Sequence, residues 1–174
     1  MTKAFSPEDV PDRIHKEVVL AAPLTRVWRA ISDARELGAW FGCELDGDFV
    51  AGQQMTGRIR PTEADPEVAK LQEPHTGKPF TIWVERIEPE RVFAFRWHPF
   101  AIEPGVDYSA EPTTLVEFTI EAVPGGTKLT ITESGFSRIP LARRAAAFTA
   151  NDGGWSHQAT LVAKYLALRA RDAT

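Results

Sequence analysis

Residues 113–134 read TTLVEFTIEAVPGGTKLTITES, and this segment decides the fold. Apolar and polar residues alternate in both halves of it, which is typical of strands with one buried face. The Pro124-Gly125-Gly126 sequence in the middle predicts the turn of a hairpin. We therefore predict two paired strands, Thr113–Val123 and Thr127–Ser134. The apolar residues of the alternation are Val116, Phe118, Ile120, Leu129 and Ile131.

Upstream of the hairpin, short β-branched and aromatic segments predict four more strands. They are Ile14–Leu20, Gln53–Arg60, Phe80–Glu88 and Val92–His98. In the last of these, period-two alternation places Phe93, Phe95 and Trp97 on one face. Residues 61–79 and 99–112 contain several prolines and charged residues, so we expect two long exposed loops there.

Two short helices are predicted directly after the first strand. The first follows Pro23 and carries an apolar stripe of helical period, from Leu24 to Ile31. The second begins at Asp33, with Glu36 three residues later in the manner of a capping box, and is expected to end near Gly38.

The C-terminal part of the chain is predicted to be helical. A short helix is expected over Leu141–Thr149, and a long one over residues 153–170 with Asn151-Asp152 as its cap. The order is then one strand, two helices, about five or six strands, and one long C-terminal helix. Such an order indicates an α+β fold in which an antiparallel sheet carries helices on one face.

Length and composition exclude several classes of protein. A chain of 174 residues suits one domain, and we expect an N-terminal arm over 1–13 and a single domain over 14–170. A net charge of −4 disfavours nucleic-acid binding. The single cysteine, Cys43, excludes an internal disulfide and Cys-rich metal sites. No apolar stretch approaches the ~20 residues of a membrane helix, so a soluble cytoplasmic protein is expected.

Five segments together resemble one known family. They are residues 87–97 (IEPERVFAFRW), residues 127–136 (TKLTITESGF), Ala22-Pro23 with Val27-Trp28, Trp40-Phe41, and Gly154-Trp155. The set is similar to the C-terminal domain of heat-shock-protein-90 ATPase activators, and the resemblance spans about residues 14–168. It implies the helix-grip fold of the START-like (SRPBCC) superfamily, as in the birch pollen allergen. In that fold a curved antiparallel sheet wraps a long C-terminal helix and leaves a cavity between them.

The motifs of catalysis and metal binding are weak in this sequence. Cys43 lies beside an acidic residue and is expected to be a quiet buried thiol. The histidines, at positions 15, 75, 98 and 157, lack the spacing of a helical metal pair. We therefore predict no catalytic residue, no metal and no cofactor.

The candidate ligand-binding residues are aromatic side chains and one carboxylate. They are Trp40, Phe41, Trp97, Glu133, Phe136, Phe148 and Trp155. The alternative is that the rings simply fill the core. Glu133 shares the face of Leu129 and Ile131, so it faces the long helix if they do. The interpretation that we favour is a rim residue that touches water or pairs with an arginine. The arginines nearby in sequence are Arg138, Arg143 and Arg144.

Three functions remain open on the sequence alone. The leading hypothesis is binding of a small apolar or amphipathic molecule, or a lipid, between the sheet and the C-terminal helix. The second is a cyclase- or hydrolase-type enzyme that uses Glu133 or Glu85 as acid and base, with Glu85 expected to share a face with Trp83 and Ile87. The third is a co-chaperone or stress-response interaction module. A homodimer is suggested by analogy, and Arg143-Arg144 is either an anchor for an anionic head group or a solvated helix face.

Overall fold

The computed structural model describes residues 6–172. Its strands are β1 (Arg13–Leu20), β2 (Cys43–Leu45), β3 (Gln54–Ile59), β4 (Pro79–Glu88), β5 (Val92–Trp97), β6 (Thr114–Val123) and β7 (Gly126–Ser134). Its α-helices are α1 (Leu24–Ser32), α2 (Ala34–Phe41), α3 (Pro66–Gln72) and α4 (Leu141–Asp172). Short 3₁₀ turns occur at Pro7–Asp9, Glu73–His75 and Phe136–Arg138. The predicted α+β order is confirmed.

The seven strands form one antiparallel sheet in the order β1-β7-β6-β5-β4-β3-β2. The hairpin predicted from residues 113–134 forms β6 and β7, which lie inside the sheet next to the edge strand β1. Phe118 lies opposite Ile131, and Val116 lies opposite Glu133. The curved sheet packs its apolar face against α1, α2 and α4. This is the helix-grip arrangement that the family resemblance implies.

The N-terminal arm is described from Ser6 onward, and residues 1–5 lie outside the described residues. Val10 packs against the core. The carboxylate of Asp12 accepts hydrogen bonds from the backbone N–H and the hydroxyl of Ser137, at 3.1 and 2.6 Å. These contacts lower the pKa of Asp12, with the Ser137 hydroxyl as the largest cause. The arm is therefore attached to the domain just before β1.

Helix α2 begins as predicted but ends later. The Asp33 side chain accepts from the backbone N–H groups of Arg35 and Glu36, which is the expected N-cap. The helix then continues through Gly38 to Phe41 and ends at Gly42, whose φ is +96°. A Cβ at Gly38 would lie 2.3 Å from the carbonyl oxygen of Cys43. This glycine permits a close approach inside the helix and does not mark its end.

The segment 61–79 is not the uninterrupted loop expected from its prolines. It contains α3, which Asp65 caps by accepting from the N–H groups of Glu67 and Val68, with Pro66 at the first helical position. The side chain of Gln72, at the end of α3, donates to the Phe41 carbonyl oxygen and accepts from the Thr62 N–H. Proline here begins a helix, and that role was not recognised in the sequence.

A β-bulge in β4 overturns the expectation that Trp83, Glu85 and Ile87 share a face. Trp83 lies opposite Arg96, but Ile87 lies opposite Phe93, because the register shifts between Val84 and Arg86. Glu85 is exposed and pairs with Arg96 at 3.2 Å. It is therefore outside the interior of the fold, and the enzyme hypothesis that used it is not supported.

The C-terminal helix is one element and not two. Helix α4 runs for 32 residues from Leu141, so Asn151 and Asp152 lie in its interior and do not cap a second helix. The side chain of Asn151 bonds to a residue of the sheet instead. Within the described residues, no helix is long and apolar enough to cross a membrane.

Candidate functional site

A carboxylate lies in the interior of the fold at the end of β7. Glu133 is 0% exposed, although it is an ionisable residue surrounded by a largely apolar core. It accepts hydrogen bonds from four side chains. The distances are 2.8 Å from Trp97 Nε1, 2.5 Å from Thr114 Oγ1, 2.9 and 3.1 Å from Asn151 Nδ2, and 2.8 Å from Trp155 Nε1. We call these five residues the carboxylate cage.

Strand register and helix periodicity bring the cage together. Trp97 ends β5 and lies opposite Thr114 at the start of β6. Thr114 shares a face with Val116, which is the partner of Glu133 across the hairpin. Helix α4, which packs on the same face of the sheet, contributes Asn151 and Trp155. They are four residues apart, so they lie about one turn apart on one side of the helix. The cage therefore joins the sheet to the middle of α4.

The hydrogen bonds of the cage suit an ionised carboxylate. An indole N–H can only donate, and so can the amide nitrogen of asparagine. All four donors are neutral, and none of the ion pairs formed within residues 6–172 includes Glu133. A negative charge is thus held in the core by hydrogen bonds alone, an arrangement that stabilises carboxylates but leaves the charge uncompensated.

The favoured prediction, that Glu133 sits at a rim and touches water or pairs with an arginine, is wrong, since the side chain is fully buried. Arg143 instead pairs with Glu111 at 2.7 Å and donates to the carbonyl oxygen of Pro99 at 2.8 Å. The guanidinium of Arg144 donates to the carbonyl oxygen of Ile139. Glu133 instead points inward together with Leu129 and Ile131, which was the less favoured interpretation of the sequence.

A small void lies next to Trp97 of the cage, between the sheet, α2 and the residues that follow β2. Its volume is about 20 Å³, which is room for about one water molecule. Seven of the eleven side chains around it are aromatic, and the remainder are aliphatic side chains and the Cys43 thiol. The aromatic ones are Phe41, Phe49, Phe80, Phe93, Phe95, Trp97 and Phe118. We call this void and its walls the aromatic pocket.

Phe49 is the lining residue that lies outside the helices and strands. It belongs to the irregular segment 46–53 between β2 and β3. Its ring is half-buried and lies 4.5 Å from the ring of Phe93, centroid to centroid. The neighbouring backbone is tied to the sheet, since Gly52 N–H donates to the Val84 carbonyl oxygen at 2.8 Å. The segment thus presents one aromatic side chain to the pocket from a less regular backbone.

The structure divides the seven predicted site residues among three places. Phe41 and Trp97 line the aromatic pocket. Trp97, Glu133 and Trp155 belong to the cage. Three others are buried but neither line the pocket nor bond to Glu133, although the ring of Trp40 contacts two rings that do line it. These are Trp40, whose Nε1 donates to the Ala30 carbonyl oxygen, and Phe136 and Phe148, whose rings contact each other.

The void also lies elsewhere than expected. The predicted cavity lies under the C-terminal helix, but none of the side chains that line the void belongs to α4. Under that helix the rings of Trp97 and Trp155 contact each other, with centroids 5.8 Å apart. Three residues with direct bearing on the site were missed. Thr114 shares a face with Val116 by simple alternation, so that signal was available. The sequence around Asn151 is typical of a helix cap, and nothing in the sequence points Phe49 inward.

Cys43 is buried in the wall of the pocket, as the sequence predicts. Burial raises the pKa of its thiol from 9.0 to about 12, partly opposed by the charge of Arg60. The cause is desolvation and not the acidic neighbour invoked from sequence. No group of three or more potential metal-ligating side chains is formed among residues 6–172.

Comparisons with known proteins agree with this architecture. DynU16, a protein of the dynemicin biosynthetic locus, is 24% identical with a TM-score of 0.63, over 90% of this chain and 48% of that one. This chain therefore spans about half the length of DynU16. Protein MLL2253 from Mesorhizobium loti is 21% identical with a TM-score of 0.63, over 88% of this chain and 96% of that one. The protein encoded by BPP1335 of Bordetella parapertussis is 25% identical with a TM-score of 0.60, over 90% of this chain and 75% of that one.

A search of curated proteins finds no match. The profile of one sequence family, described as activator of Hsp90 ATPase homolog 1-like protein, matches residues 21–167. That range includes all of the cage and all of the pocket lining, and it agrees with the resemblance noted in the sequence. The chain therefore belongs to the activator of Hsp90 ATPase homolog 1-like family, with the START-like helix-grip fold.

Proposed function

We propose that the protein binds a small apolar or amphipathic molecule in the aromatic pocket. The observation that carries the proposal is an unfilled void whose walls are apolar and mostly aromatic. Ligand sites in proteins have this composition, with a few directed polar groups beside them.

The pocket needs more room than the void provides. Ligand pockets commonly measure about 300–1,000 Å³, against about 20 Å³ here. Phe49 is the wall residue with the least regular backbone, so it is the side chain that moves most readily. In this proposal its ring occupies the ligand's place in the free protein and swings outward on binding. The ligand then replaces the contact that Phe49 makes with Phe93.

Catalysis by Glu133 is the less favoured alternative. Both carboxylate oxygens already accept hydrogen bonds, and the group has no contact with solvent. A general base must reach the proton that it removes, directly or through one water. Glu133 would first have to break part of its cage. The geometry therefore favours a binding protein in which Glu133 is a fixed charge.

The test is a titration with N-phenyl-1-naphthylamine, an uncharged apolar dye whose emission rises when it is buried. We expect the wild-type protein to bind it and Phe49→Ala to bind it about tenfold more tightly, because the dye no longer displaces a ring. Phe100→Ala is the matched control, since Phe100 is also half-buried and packs against the core but does not line the pocket. The control should leave the affinity unchanged.

Two results would contradict the proposal. One is the absence of binding to both the wild type and Phe49→Ala at dye concentrations up to its solubility. The other is an equal gain in Phe49→Ala and Phe100→Ala, which would indicate general loosening of the fold and not opening of one pocket.

A further inference from the structure

We propose that the ligand of the aromatic pocket is an organic cation, an ammonium group carried on an apolar body. This inference rests on the proposed function and names the chemical class of the ligand. Three observations carry it: an uncompensated buried charge, an indole that joins that charge to the pocket, and the density of aromatic rings around the void.

The first observation is the charge of Glu133. Its four hydrogen-bond donors are neutral, and it takes part in none of the ion pairs within residues 6–172. Hydrogen bonds stabilise a carboxylate but do not cancel its field. In a core with few polar groups that field is weakly screened and extends to neighbouring cavities. A cation placed nearby is therefore stabilised, whereas an anion is repelled.

The second observation is the position of Trp97 between the charge and the void. Its Nε1 donates to Glu133 Oε2 at 2.8 Å, and its ring lines the pocket. An indole N–H that donates to a carboxylate is polarised, so electron density moves toward the π face. Tryptophan already offers the strongest cation–π face among the aromatic residues. The carboxylate thus strengthens the ring that a ligand would contact.

The third observation is that further rings surround this face. Phe95 lies 5.3 Å from Trp97 in an edge-to-face arrangement, and Phe41 lies 6.3 Å from it. Aromatic cages of this kind bind methylated ammonium groups, which are too large and too weakly hydrated to need hydrogen bonds. The apolar walls contain no acceptor that a small, strongly hydrated primary ammonium group would require.

An anionic ligand fits the same surroundings poorly. The candidate anchor for an anionic head group was Arg143-Arg144, but neither residue lines the pocket. Arg143 is held by Glu111 and by the Pro99 carbonyl oxygen, and Arg144 donates to Ile139. Those contacts are consistent with a structural role for both arginines.

The experiment compares three probes of similar shape: benzyltrimethylammonium, its uncharged isostere neopentylbenzene, and benzenesulfonate. Each displaces N-phenyl-1-naphthylamine from the wild type and from Phe49→Ala, and its dissociation constant is measured. We expect the cation to bind about tenfold more tightly than the isostere, as a desolvated cation–π contact allows. Benzenesulfonate should not displace the dye.

Variants then assign the preference to the buried charge. Glu133→Gln should lower the ratio of cation affinity to isostere affinity about tenfold, because any loosening of the wall acts on both probes whereas loss of the charge acts on the cation alone. If that variant does not fold, Trp97→Phe keeps a ring in the wall but removes the link to the carboxylate, and it should lower the same ratio.

The outcomes are distinguishable. If neither the dye nor any probe binds, the proposed function itself fails. If neopentylbenzene binds as tightly as the cation, or if the preference survives in the variants, the pocket stands but the cation inference is overturned.

Discussion

Glu133→Gln replaces one carboxylate oxygen by an NH₂ group while it keeps the size and shape of the side chain. The cage is built to donate to both oxygens. If the NH₂ group takes the place of Oε2, it faces the N–H of Trp97; if it takes the place of Oε1, it faces the N–H of Trp155. Thr114 and Asn151 can adapt, by rotating a hydroxyl or flipping an amide, but an indole N–H cannot become an acceptor. Either orientation therefore leaves one buried indole N–H without a partner.

The magnitude follows from the groups left unpaired. One buried unsatisfied donor costs about 1–3 kcal/mol. The remaining hydrogen bonds also weaken, because a bond to a charged acceptor contributes about 1.5–3 kcal/mol and a bond to a neutral acceptor only about 0.5–1.5 kcal/mol. Relief of the buried charge offsets part of this loss. We expect a net decrease of about 2–4 kcal/mol in the free energy of unfolding, or a fall of about 5–12 °C in Tm for a domain of this size.

The assay is urea denaturation at pH 7, followed by tryptophan fluorescence and far-ultraviolet circular dichroism. Glu121→Gln is the matched control, since Glu121 is 62% exposed and pairs with Lys128 on the outer face of the sheet. An exposed pair of this kind contributes at most about 1 kcal/mol. Glu133→Met should be more harmful than Glu133→Gln, because it leaves all four donors without an acceptor.

The reasoning would be refuted if Glu133→Gln were as stable as the wild type or more stable. That result would mean that the cost of burying the charge exceeds the value of its hydrogen bonds, as occurs for some buried ion pairs. The cage would then be a feature that the fold tolerates and not one that holds it together.

Three further predictions concern the helices and the thiol. Asn151→Asp places a second carboxylate against Glu133, so it should lower Tm at pH 7 more than Asn151→Ala does. Gly38→Ala should lower the free energy of unfolding measured in urea, because its Cβ would lie 2.3 Å from the Cys43 carbonyl oxygen. This clash should outweigh the helix propensity of alanine, which favours it over glycine by about 1 kcal/mol. A stabilised variant would contradict the prediction. Burial raises the pKa of the Cys43 thiol from 9.0 to about 12, so the thiol should resist alkylation at pH 8 in the folded protein. The same shift favours folding below about pH 9 and is lost as the pH rises toward 12, so stability should decline over that range while the reactivity of Cys43 increases.

The sequence is a good guide to the fold where hydrophobic periodicity and turn chemistry act locally. Alternation in residues 113–134 predicts the β6–β7 hairpin, and Asp33 marks the start of α2 correctly. The predictions fail where a residue that usually marks the end or the start of a helix is present because of a contact with a residue distant in sequence. Gly38 resembles a helix end but is required by the approach of Cys43, and the Asn151-Asp152 pair resembles a cap although α4 continues through it.

The site is predictable only in part, for a related reason. Parity along β7 places Glu133 on the face of Leu129 and Ile131, and parity along β5 places Trp97 on the face of Phe93 and Phe95. The sequence alone still favours a rim position for Glu133. Parity cannot tell which polar groups from a distant helix will meet the carboxylate, because that depends on how α4 crosses the sheet. The position of Phe49 is likewise set by an irregular segment, for which no periodicity exists.

Trp97 belongs to both the cage and the aromatic pocket, and this sharing determines which wall of the pocket can move. On the sheet side, Trp97 is held by a charge-assisted hydrogen bond, and Glu133 in turn holds α4 through Asn151 and Trp155. Breaking one such bond costs about 1.5–3 kcal/mol and would expose a buried charge. On the opposite side, Phe49 loses one aromatic contact, worth about 0.5–1.5 kcal/mol beyond its burial. If the protein binds a ligand in this pocket as we propose, the ligand should enter from the side of segment 46–53, against a wall that the carboxylate cage keeps in place.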